Sequence, residues 1–383
     1  MSKKIEEDTW VICPVCNNRL KKERLPTHMK RVHSKKVDDA EIKSLETSHK
    51  KSSYKQIQEN KISKFISKKT IGIIAIIFVV IVAALSIYFL FYDQNDQKTH
   101  FVSIDGKGDF LSTQEAIDSA SDNDIIFVSN GAYFENIEIT KSIELIGEDK
   151  NTTIINGNGK GSVVSISADH VKIRGFTITN GGPKSASEPD AGIKIGSNHN
   201  TVSDCVIVSN KNFGLYLDAN PDNIIKFNTF SNNKYGIYAF NANTNNISSN
   251  TFTSNTEYGM YLTSQSDDNT VSDNIFTENN YAIRIKGSEK NTIIKNLITN
   301  NEYGLYFCCG ANSNIAYNNR FIKNTNWHAL DDSKPGNTWD NGKVGNYWDD
   351  YMGKDANGDG IGDTPYLIKG DEEDRFPLMQ LSN

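Results

Sequence analysis

Four residues near the N-terminus have the types and the spacing of a metal site. Two residues separate Cys13 from Cys16, eleven separate Cys16 from His28, and four separate His28 from His33. Thiolate and imidazole are the ligands that zinc takes in tetrahedral structural sites, and closely spaced pairs of them are typical of such sites. The sequence therefore predicts one Zn²⁺ held by these four side chains, in a unit spanning residues 1–36.

This stretch resembles the Cys-Cys-His-His zinc finger family, with Leu20 and Leu25 at the places of the two small-core residues. It has one residue fewer than usual between the two ligand pairs, and Pro26 falls within the expected helix. A single finger covers about three base pairs of DNA, so we expect this one to contact a cytosolic protein or the membrane surface. Nonspecific nucleic-acid binding through the surrounding basic residues is the alternative.

A second candidate metal site lies near the C-terminus. Oxygen ligands recur at the first, third, fifth, seventh (a carbonyl) and ninth positions of an EF-hand-like loop, in Asp355, Asn357, Asp359, Ile361 and Asp363. Gly360 stands at the sixth position, where such loops turn sharply. Tyr366 replaces the usual Glu, so the bidentate ligand is missing or comes from residues 371–374. The pattern predicts a Ca²⁺ site, and a metal-free Asp/Gly-rich turn is the alternative.

The elements that carry these sites differ in charge. Residues 1–70 hold 18 Lys/Arg against 9 Asp/Glu, a net charge of +9, whereas residues 71–383 hold 23 against 38, a net charge of −15. The second segment begins with Ile71–Tyr92, a run of 22 uncharged, mainly apolar residues. About 20 such residues span a bilayer core. The sequence predicts a basic juxtamembrane linker over 37–70, able to attract anionic lipid, and a transmembrane helix over 71–92. Lysines before the run put the N-terminus in the cytoplasm and the rest of the chain outside the cell.

Beyond residue 98 the sequence repeats with a period of 22 or 23 residues. One asparagine series is Asn200, Asn223, Asn246, Asn269, Asn291, Asn314 and Asn337, and a second is Asn210, Asn233, Asn255, Asn279, Asn301 and Asn324. Each coil also contains an aromatic-Gly-apolar-Tyr unit or a variant of it, in which apolar residues alternate with polar ones. Alternation of period two indicates strands with one buried face. Coils of this length suit three short strands, and equivalent asparagines about 4.8 Å apart can form hydrogen-bonded ladders.

The region from about residue 100 onward resembles the right-handed parallel β-helix family, especially the NosD-like proteins of archaeal surfaces. The resemblance is carried by the asparagine repeats, by Phe110–Ala120 followed by Ile125–Val128 and Gly131–Ile137, and by Gly345–Tyr351 with Asp374–Leu378. It implies an all-β ectodomain with a β-helix over 98–340 and a C-terminal cap over 341–383. Ser112 and Glu115 form a capping box, which predicts a short helix covering the first coil.

NosD-like proteins are associated with copper handling, so the resemblance also raises the possibility of a copper site. Candidate ligands are His170, at a ladder position, His199, beside Asn200, and the vicinal pair Cys308 and Cys309. Two imidazoles suit a soft metal. The alternative is that these histidines are ordinary turn residues, and the redox state of the cysteine pair is left open.

One further set of residues is expected to face outward as a column. If Leu215 and Leu217 point into the β-helix, then Tyr216, Tyr238, Tyr261, Arg284 and Tyr306 point out of it on successive coils. Stacked rings with a cation set among them predict a platform for sugar rings. The alternative is that the tyrosines only stabilise the sheet.

The sequence therefore favours a membrane-anchored cell-surface β-helix that binds or organises glycans or surface partners, with a cytoplasmic zinc finger. The alternatives are a β-helix polysaccharide lyase or hydrolase and a copper-handling accessory protein. Catalysis needs clustered carboxylates. The only acidic pair on adjacent coils, Asp267 and Glu289, is better explained as an ordinary turn, so no catalytic residue is predicted.

Overall fold

The computed structural model describes residues 97–184, 188–334 and 336–379, together with Trp10–Ile12, Arg19–Lys21, Arg24, Thr27 and Ile81. The chain divides into two units, 1–94 and 95–383. In the first unit, Trp10–Ile12 and Arg19–Lys21 pair as antiparallel strands with Val11 opposite Leu20. The predicted zinc ligands Cys13, Cys16, His28 and His33 lie outside the described residues, as does all of the segment 71–92 except Ile81. Within the described part of the chain, no helix is long and apolar enough to cross a membrane.

The second unit is a parallel β-helix of the right-handed type, as predicted, in which three long sheets run along the axis. Sheet 1 has ten strands: Thr99–Val102, Ile125–Val128, Glu144–Gly147, Lys172–Arg174, Thr201–Ser203, Ile224–Lys226, Asn246–Ser248, Thr270–Ser272, Thr292–Ile294 and Ile315–Tyr317. Sheet 2 has ten: Gly131–Tyr133, Thr153–Asn156, Thr177–Thr179, Val206–Val208, Thr229–Ser231, Thr251–Thr253, Ile275–Thr277, Leu297–Thr299, Arg320–Ile322 and Tyr347–Trp348. Sheet 3 has nine: Ile137–Ile139, Val164–Ile166, Ala191–Ile195, Phe213–Asp218, Tyr235–Phe240, Tyr258–Thr263, Tyr281–Lys286, Tyr303–Cys308 and Trp327–Asp331.

The core is a column of apolar side chains inside the coil. On sheet 2, Phe230, Phe252 and Phe276 are fully buried and stack with ring centroids 5.0 and 4.5 Å apart. From Lys172–Arg174 onward, each three-residue strand of sheets 1 and 2 has one buried central side chain flanked by two that are more exposed, for example in Thr251–Thr253. Strands this short cannot be stable alone, so burial of one residue per strand, repeated along the axis, stabilises the solenoid.

Three asparagine ladders line the turns. Ladder 1 is Asn200, Asn223, Asn245, Asn269, Asn291, Asn314 and Asn337. Ladder 2, which the sequence analysis missed, is Asn228, Asn250, Asn274, Asn296, Asn319 and Asn346. Ladder 3 is Asn210, Asn233, Asn255, Asn279, Asn301 and Asn324. At each step the backbone N–H of one asparagine donates to the Oδ1 of the next, and in most steps its Nδ2 donates there too.

The expected place of Asn246 in ladder 1 was wrong by one residue. Asn223 N–H donates to Oδ1 of Asn245, whereas Asn246 is exposed at the start of a sheet 1 strand. The coil between these two ladder positions is one residue shorter than an even spacing of 23 assumes, so the next residue along the chain is turned outward. A sequence period alone does not fix which of two adjacent asparagines points inward.

Both ends of the β-helix are closed. The predicted helix forms over Thr113–Ser119, with Ser112 as its N-cap and with Ala116 and Ile117 buried. At the other end, Trp348 stacks on Phe321 at 4.3 Å and Tyr366 stacks on Trp348 at 4.2 Å. A two-stranded antiparallel sheet of Tyr366–Ile368 and Glu372–Asp374 follows. The last strand of sheet 2, Tyr347–Trp348, lies inside the segment expected to be cap.

Candidate functional site

The outer face of sheet 3 carries two parallel columns of aromatic side chains, which together we call the aromatic ladder. The strand-start column is Phe213, Tyr235, Tyr258, Tyr281, Tyr303 and Trp327. The mid-strand column is Tyr216, Tyr238, Tyr261, Arg284 and Tyr306. Because sheet strands lie about 4.8 Å apart, the six coils of the ladder extend about 24 Å along the axis.

Rings of the strand-start column contact one another along its whole length. Successive centroids, from Phe213 to Trp327, are 5.0, 5.3, 5.0, 4.4 and 5.0 Å apart. Tyr235, Tyr258, Tyr281 and Tyr303 stack with nearly parallel planes. These spacings fall within the range in which aromatic pairs attract each other. The column is therefore one continuous apolar surface.

The mid-strand column has the predicted orientation. Leu215 and Leu217 are fully buried in the core, and Tyr216 between them lies on the outer face in register with Lys194 and Tyr238. Tyr238, Tyr261 and Tyr306 are half-buried. Tyr216 differs from expectation, because only 8% of it is exposed and it packs against Phe213 and Ala191. The accessible part of this column therefore begins at Tyr238.

The strand-start column was missed because the alternation of side chains breaks at the glycine of each repeat. Phe213 and Tyr216 are three residues apart, yet both lie outside, while Gly214 and Leu215 between them are both buried. A Cβ on Gly214 would come within 2.6 Å of the Gly236 carbonyl oxygen, so this position leaves no room for a side chain. The repeated aromatic residue before each glycine was the available signal, but strict period-two counting could not use it.

Arg284 takes the place of a ring in the middle of the ladder. Its guanidinium lies 5.2 Å from the ring centroid of Tyr261 and 5.3 Å from that of Tyr306. Nη1 donates to the hydroxyl of Tyr258 at 2.8 Å, and Nη2 donates to Sγ of Cys308 at 3.5 Å. Cation–π attraction of this kind stabilises the guanidinium of Arg284 against the two neighbouring rings.

The phenol groups of the ladder stay protonated at neutral pH. Burial raises the pKa of Tyr216 to about 12. Burial also raises the pKa values of Tyr235, Tyr238, Tyr261 and Tyr306 above the usual value for a phenol. A protonated phenol both donates and accepts hydrogen bonds. The rim of the apolar surface therefore offers neutral hydroxyls that can pair with the hydroxyls of a ligand.

The candidate copper ligands form two separate pairs. The rings of His170 and His199 stack with centroids 5.0 Å apart, so these two residues are neighbours as expected. Cys308 is buried, Cys309 is exposed, and both are free thiols. Four strands of sheet 3 lie between the strand before His199 and the strand of the cysteines, so the two pairs are five strand spacings, about 24 Å, apart along the axis. The structure does not bring the four residues together.

One group of potential metal ligands does converge within the described residues: His328, Asp349 and Asp350. Nε2 of His328 lies 2.8 Å from Asp349 Oδ1 and 3.6 Å from Asp350 Oδ1. Its Nδ1 lies 3.1 Å from Nδ2 of Asn324, the last member of ladder 3, whose Oδ1 already accepts from Asn301. Nδ1 must therefore accept, which places the proton of a neutral ring on Nε2, facing the carboxylates. The histidine ends the ladder as a hydrogen-bond acceptor and has no free lone pair for a metal.

The predicted calcium loop folds around its own backbone N–H groups. Oδ1 of Asp355 accepts from Gly358 and Asp359, and its Oδ2 accepts from Gly360. Asn357 and Asp359 accept from N–H groups two residues ahead of each, those of Asp359 and Ile361. Asp363 accepts from the N–H of Ala356. These bonds engage the side-chain oxygens of the loop with its own backbone N–H groups, and its three carboxylates are not among the described ligand groups that converge.

The acidic pair Asp267 and Glu289 is engaged in turn contacts. Asp267 accepts from the backbone N–H of Glu289 at 2.7 Å, and Glu289 accepts from Nδ2 of Asn312 at 2.7 Å. In a β-helix enzyme a carboxylate pair must face a bound substrate to act as acid and base. Here both side chains instead form hydrogen bonds between successive turns.

Comparison with known proteins gives one family and several similar folds. The family profile described as periplasmic copper-binding protein (NosD) matches residues 100–353. No curated protein matches the chain.

Several solved structures have a similar fold. The A-module of the mannuronan C-5 epimerase AlgE4 of Azotobacter vinelandii is 15% identical with a TM-score of 0.45, over 61% of this chain and 81% of that one. Pectate lyase Pel9A is 12% identical with a TM-score of 0.46, over 66% and 74%. The alginate lyase of Paenibacillus sp. strain FPU-7 is 14% identical with a TM-score of 0.44, over 61% and 99%.

Proposed function

The chain belongs to the family of periplasmic copper-binding proteins (NosD), and from that premise and its outer surface we propose that its β-helix is an extracytoplasmic glycan-binding protein. Sugar rings would dock along the aromatic ladder, with their apolar faces on the rings and their hydroxyls on the tyrosine hydroxyls. Apolar area with a polar rim is the usual composition of such sites. The continuous double column on sheet 3 is the observation that carries the proposal.

The ladder is confined to one of three sheets, which argues for a role beyond stacking. On the same coils, the outward residues of sheet 2 are mostly Thr and Ser, as in Thr229–Ser231 and Thr251–Thr253. Those of sheet 1 are also mainly small or polar, as in Thr201–Ser203 and Thr270–Ser272. All three sheets need the same stabilisation, yet only sheet 3 places rings on its outer face coil after coil. Aromatic surface kept at the exterior marks an interaction site.

Replacing two rings of the mid-strand column tests this proposal. Tyr238→Ser with Tyr261→Ser in the full-length chain, purified in detergent and applied to a glycan array, should lose the signals of the unaltered protein. Each cross-strand pair contributes about 0.2–1 kcal/mol, so the melting temperature should fall only slightly. Tyr317→Ser is the matched control, because Tyr317 lies at the outer face of sheet 1.

Unchanged array signals in the double variant would reject the proposal. If the double variant melts much lower, the single variant Tyr238→Ser separates binding from stability. Loss of binding in a stable protein supports the ladder as the site, whereas binding that falls only in step with the folded fraction makes the rings structural.

The described residues do not fit a copper site of the family's kind. His170 and His199 offer two ligands, and the buried thiol of Cys308 has its pKa raised to about 11, mainly by burial, so it holds its proton. Cu(I) prefers thiolate or thioether ligands, and two stacked imidazoles alone leave the shell incomplete. Copper handling is therefore not the function that the described residues support best.

We also propose that this β-helix is tethered to the cell membrane by the segment 71–92, with the finger on the cytoplasmic side. The support is the uncharged run itself and the excess of Lys before it. Cys13, Cys16, His28 and His33 would hold Zn²⁺ in a unit too small for a core of its own. Equal zinc content in the full chain and in its Cys13→Ser variant would contradict the zinc site.

Calcium binding by the loop of Asp355, Asn357, Asp359, Ile361 and Asp363 is a proposal of the same kind. Its support is the EF-hand-like spacing of the oxygen-bearing residues, with Gly360 at the sharp turn. Millimolar extracellular calcium would fill even a weak site. Calorimetry on the full chain should show heat on adding Ca²⁺, which Asp355→Asn should remove. No heat in the unaltered protein would contradict the site.

A further inference from the structure

Arg284 is a charged group held within the aromatic ladder without a charged partner. It lies over three rings, with its guanidinium 5.8, 5.2 and 5.3 Å from the centroids of Tyr258, Tyr261 and Tyr306. Its Nε is buried and has no hydrogen-bond partner. Each terminal nitrogen makes one hydrogen bond, to Tyr258 and to Cys308 respectively, which leaves one N–H free on each.

Its environment supplies no negative charge. Among the described residues, no carboxylate oxygen lies within ion-pair distance of Arg284, whereas Arg174 and Arg375 pair with Glu144 and Asp340 at 3.2 and 2.7 Å. The thiol of Cys308 is not a counter-ion, because burial raises its pKa to about 11. A partly desolvated cation without a counter-ion is unfavourable, so its presence in the middle of a candidate binding surface calls for an anionic partner.

We propose that Arg284 binds the carboxylate of an acidic sugar residue seated between Tyr261 and Tyr306, so that the glycans recognised by the ladder contain uronic acids. The two free terminal N–H groups of a guanidinium match the two oxygens of a carboxylate. The flanking rings receive the apolar faces of the sugar residues on each side. This inference rests on the proposed glycan-binding function and names the substrate class for it.

Two matched ligands test the inference on the full-length chain in detergent. A hexamer of β-1,4-linked glucuronic acid and the glucose hexamer of the same linkage differ only in the carboxylates. Calorimetry should give at least tenfold tighter binding of the acidic hexamer to the unaltered protein. Arg284→Gln should remove this preference, so that the two hexamers bind the variant with similar affinity. Arg284→Lys should keep part of the preference, because it retains the charge but loses the planar pair of donors.

Lys226→Gln is the control, since it removes an exposed-face cation from sheet 1, away from the ladder. It should leave both affinities unchanged. Equal affinity of the unaltered protein for the two hexamers overturns the role of Arg284 but leaves the glycan proposal standing. No binding of either hexamer, with no signal on the glycan array, overturns both. If Arg284→Gln fails to fold, an Arg284→Lys variant with unchanged preference for the acid also overturns the paired-donor contact.

Discussion

Asp374 lies at the C-terminal end of the β-helix, and its ionisation affects the stability of that end. It ends ladder 2 by accepting from the backbone N–H of Asn346 at 2.6 Å and from its Nδ2 at 3.3 Å. Its Oδ2 also accepts from Trp348 Nε1, which lies in the terminal aromatic stack. Burial raises the pKa of Asp374 to about 6, against these hydrogen bonds, which favour the charged form. Ladder 1 ends in a similar way on Asp331, and ladder 3 ends on His328.

The raised pKa predicts that stability falls as pH rises. Between the ordinary pKa of 3.8 and about 6, the folded protein keeps a proton that the unfolded chain has lost. The free energy of unfolding contributed by this group is therefore present in full below the lower value and lost as pH passes about 6. At about 1.4 kcal/mol for each pKa unit, the loss is on the order of 3 kcal/mol.

Urea unfolding across this pH range measures the effect, and Asp374→Asn isolates it from other groups. The unaltered protein should lose stability relative to the variant between the two pKa values. Parallel pH profiles for the two proteins would show that Asp374 does not hold the proton.

At the level of elements, each ladder asparagine supports two neighbouring coils. Oδ1 of Asn274 accepts from the backbone N–H and the Nδ2 of Asn250, and its own Nδ2 donates to the carbonyl of Ile247. Asn274→Ala removes all three bonds and leaves the buried backbone N–H of Asn250 without a partner, whereas Nδ2 of Asn250 still donates to the carbonyls of Ile225 and Ser248. At about 1–3 kcal/mol for the unpaired N–H and about 1 kcal/mol for each other bond lost, the variant should lose about 3 kcal/mol of stability.

Asn246→Ala is the matched control for this experiment. Asn246 belongs to the same asparagine-rich repeat but is exposed, so its replacement should change stability by less than about 0.5 kcal/mol. Chemical denaturation of both variants gives the comparison. Similar losses in the two would mean that ladder hydrogen bonds are not what stabilises the coils.

The elements also show which parts of the fold were predictable. The period of 22 or 23 residues identified the coils, because a solenoid needs one equivalent turn residue in every coil. Asn245 and Asn246 could not be separated by period alone, since both are asparagine and only the local coil length decides. Ladder 2, which was not predicted, is equally regular in the sequence, as the spacing from Asn228 to Asn319 shows.

The outward orientation of the mid-strand column was predictable from the sequence, but the strand-start column beside it was not. Orientation of Tyr238 and Tyr261 followed from the buried leucines of the first repeat, because side chains alternate along a strand. The strand-start column was hidden because the conformation at each glycine places two consecutive buried residues between outward rings. The repeat placed Arg284 between Tyr261 and Tyr306, but its hydrogen bonds to Tyr258 and Cys308 depend on the side-chain conformation of Arg284, which the repeat does not specify.

At the scale of the whole molecule, the basic first 70 residues and the acidic remainder are suited to different surroundings. An acidic β-helix would be repelled by anionic lipid, whereas the lysines before residue 71 would be attracted to it. Two modes of membrane association follow from the sequence. Insertion of the segment 71–92 resists high salt, because it depends on apolar burial. Surface adsorption by lysines is released by salt, because ions screen exposed charges.

Membrane fractionation therefore distinguishes the two modes. We expect the full chain to stay with membranes in high salt and to be released only by detergent. A chain lacking residues 71–92 should be soluble both in high salt and in detergent.

Replacement of Lys61, Lys64, Lys68 and Lys69 by Gln should leave the protein inserted but weaken the preference for a cytoplasmic N-terminus. Protease added outside intact cells should then cleave the β-helix of the unaltered protein while leaving the segment before residue 71 protected. Release of the unaltered chain by salt alone, or protection of the β-helix, would contradict the proposed topology.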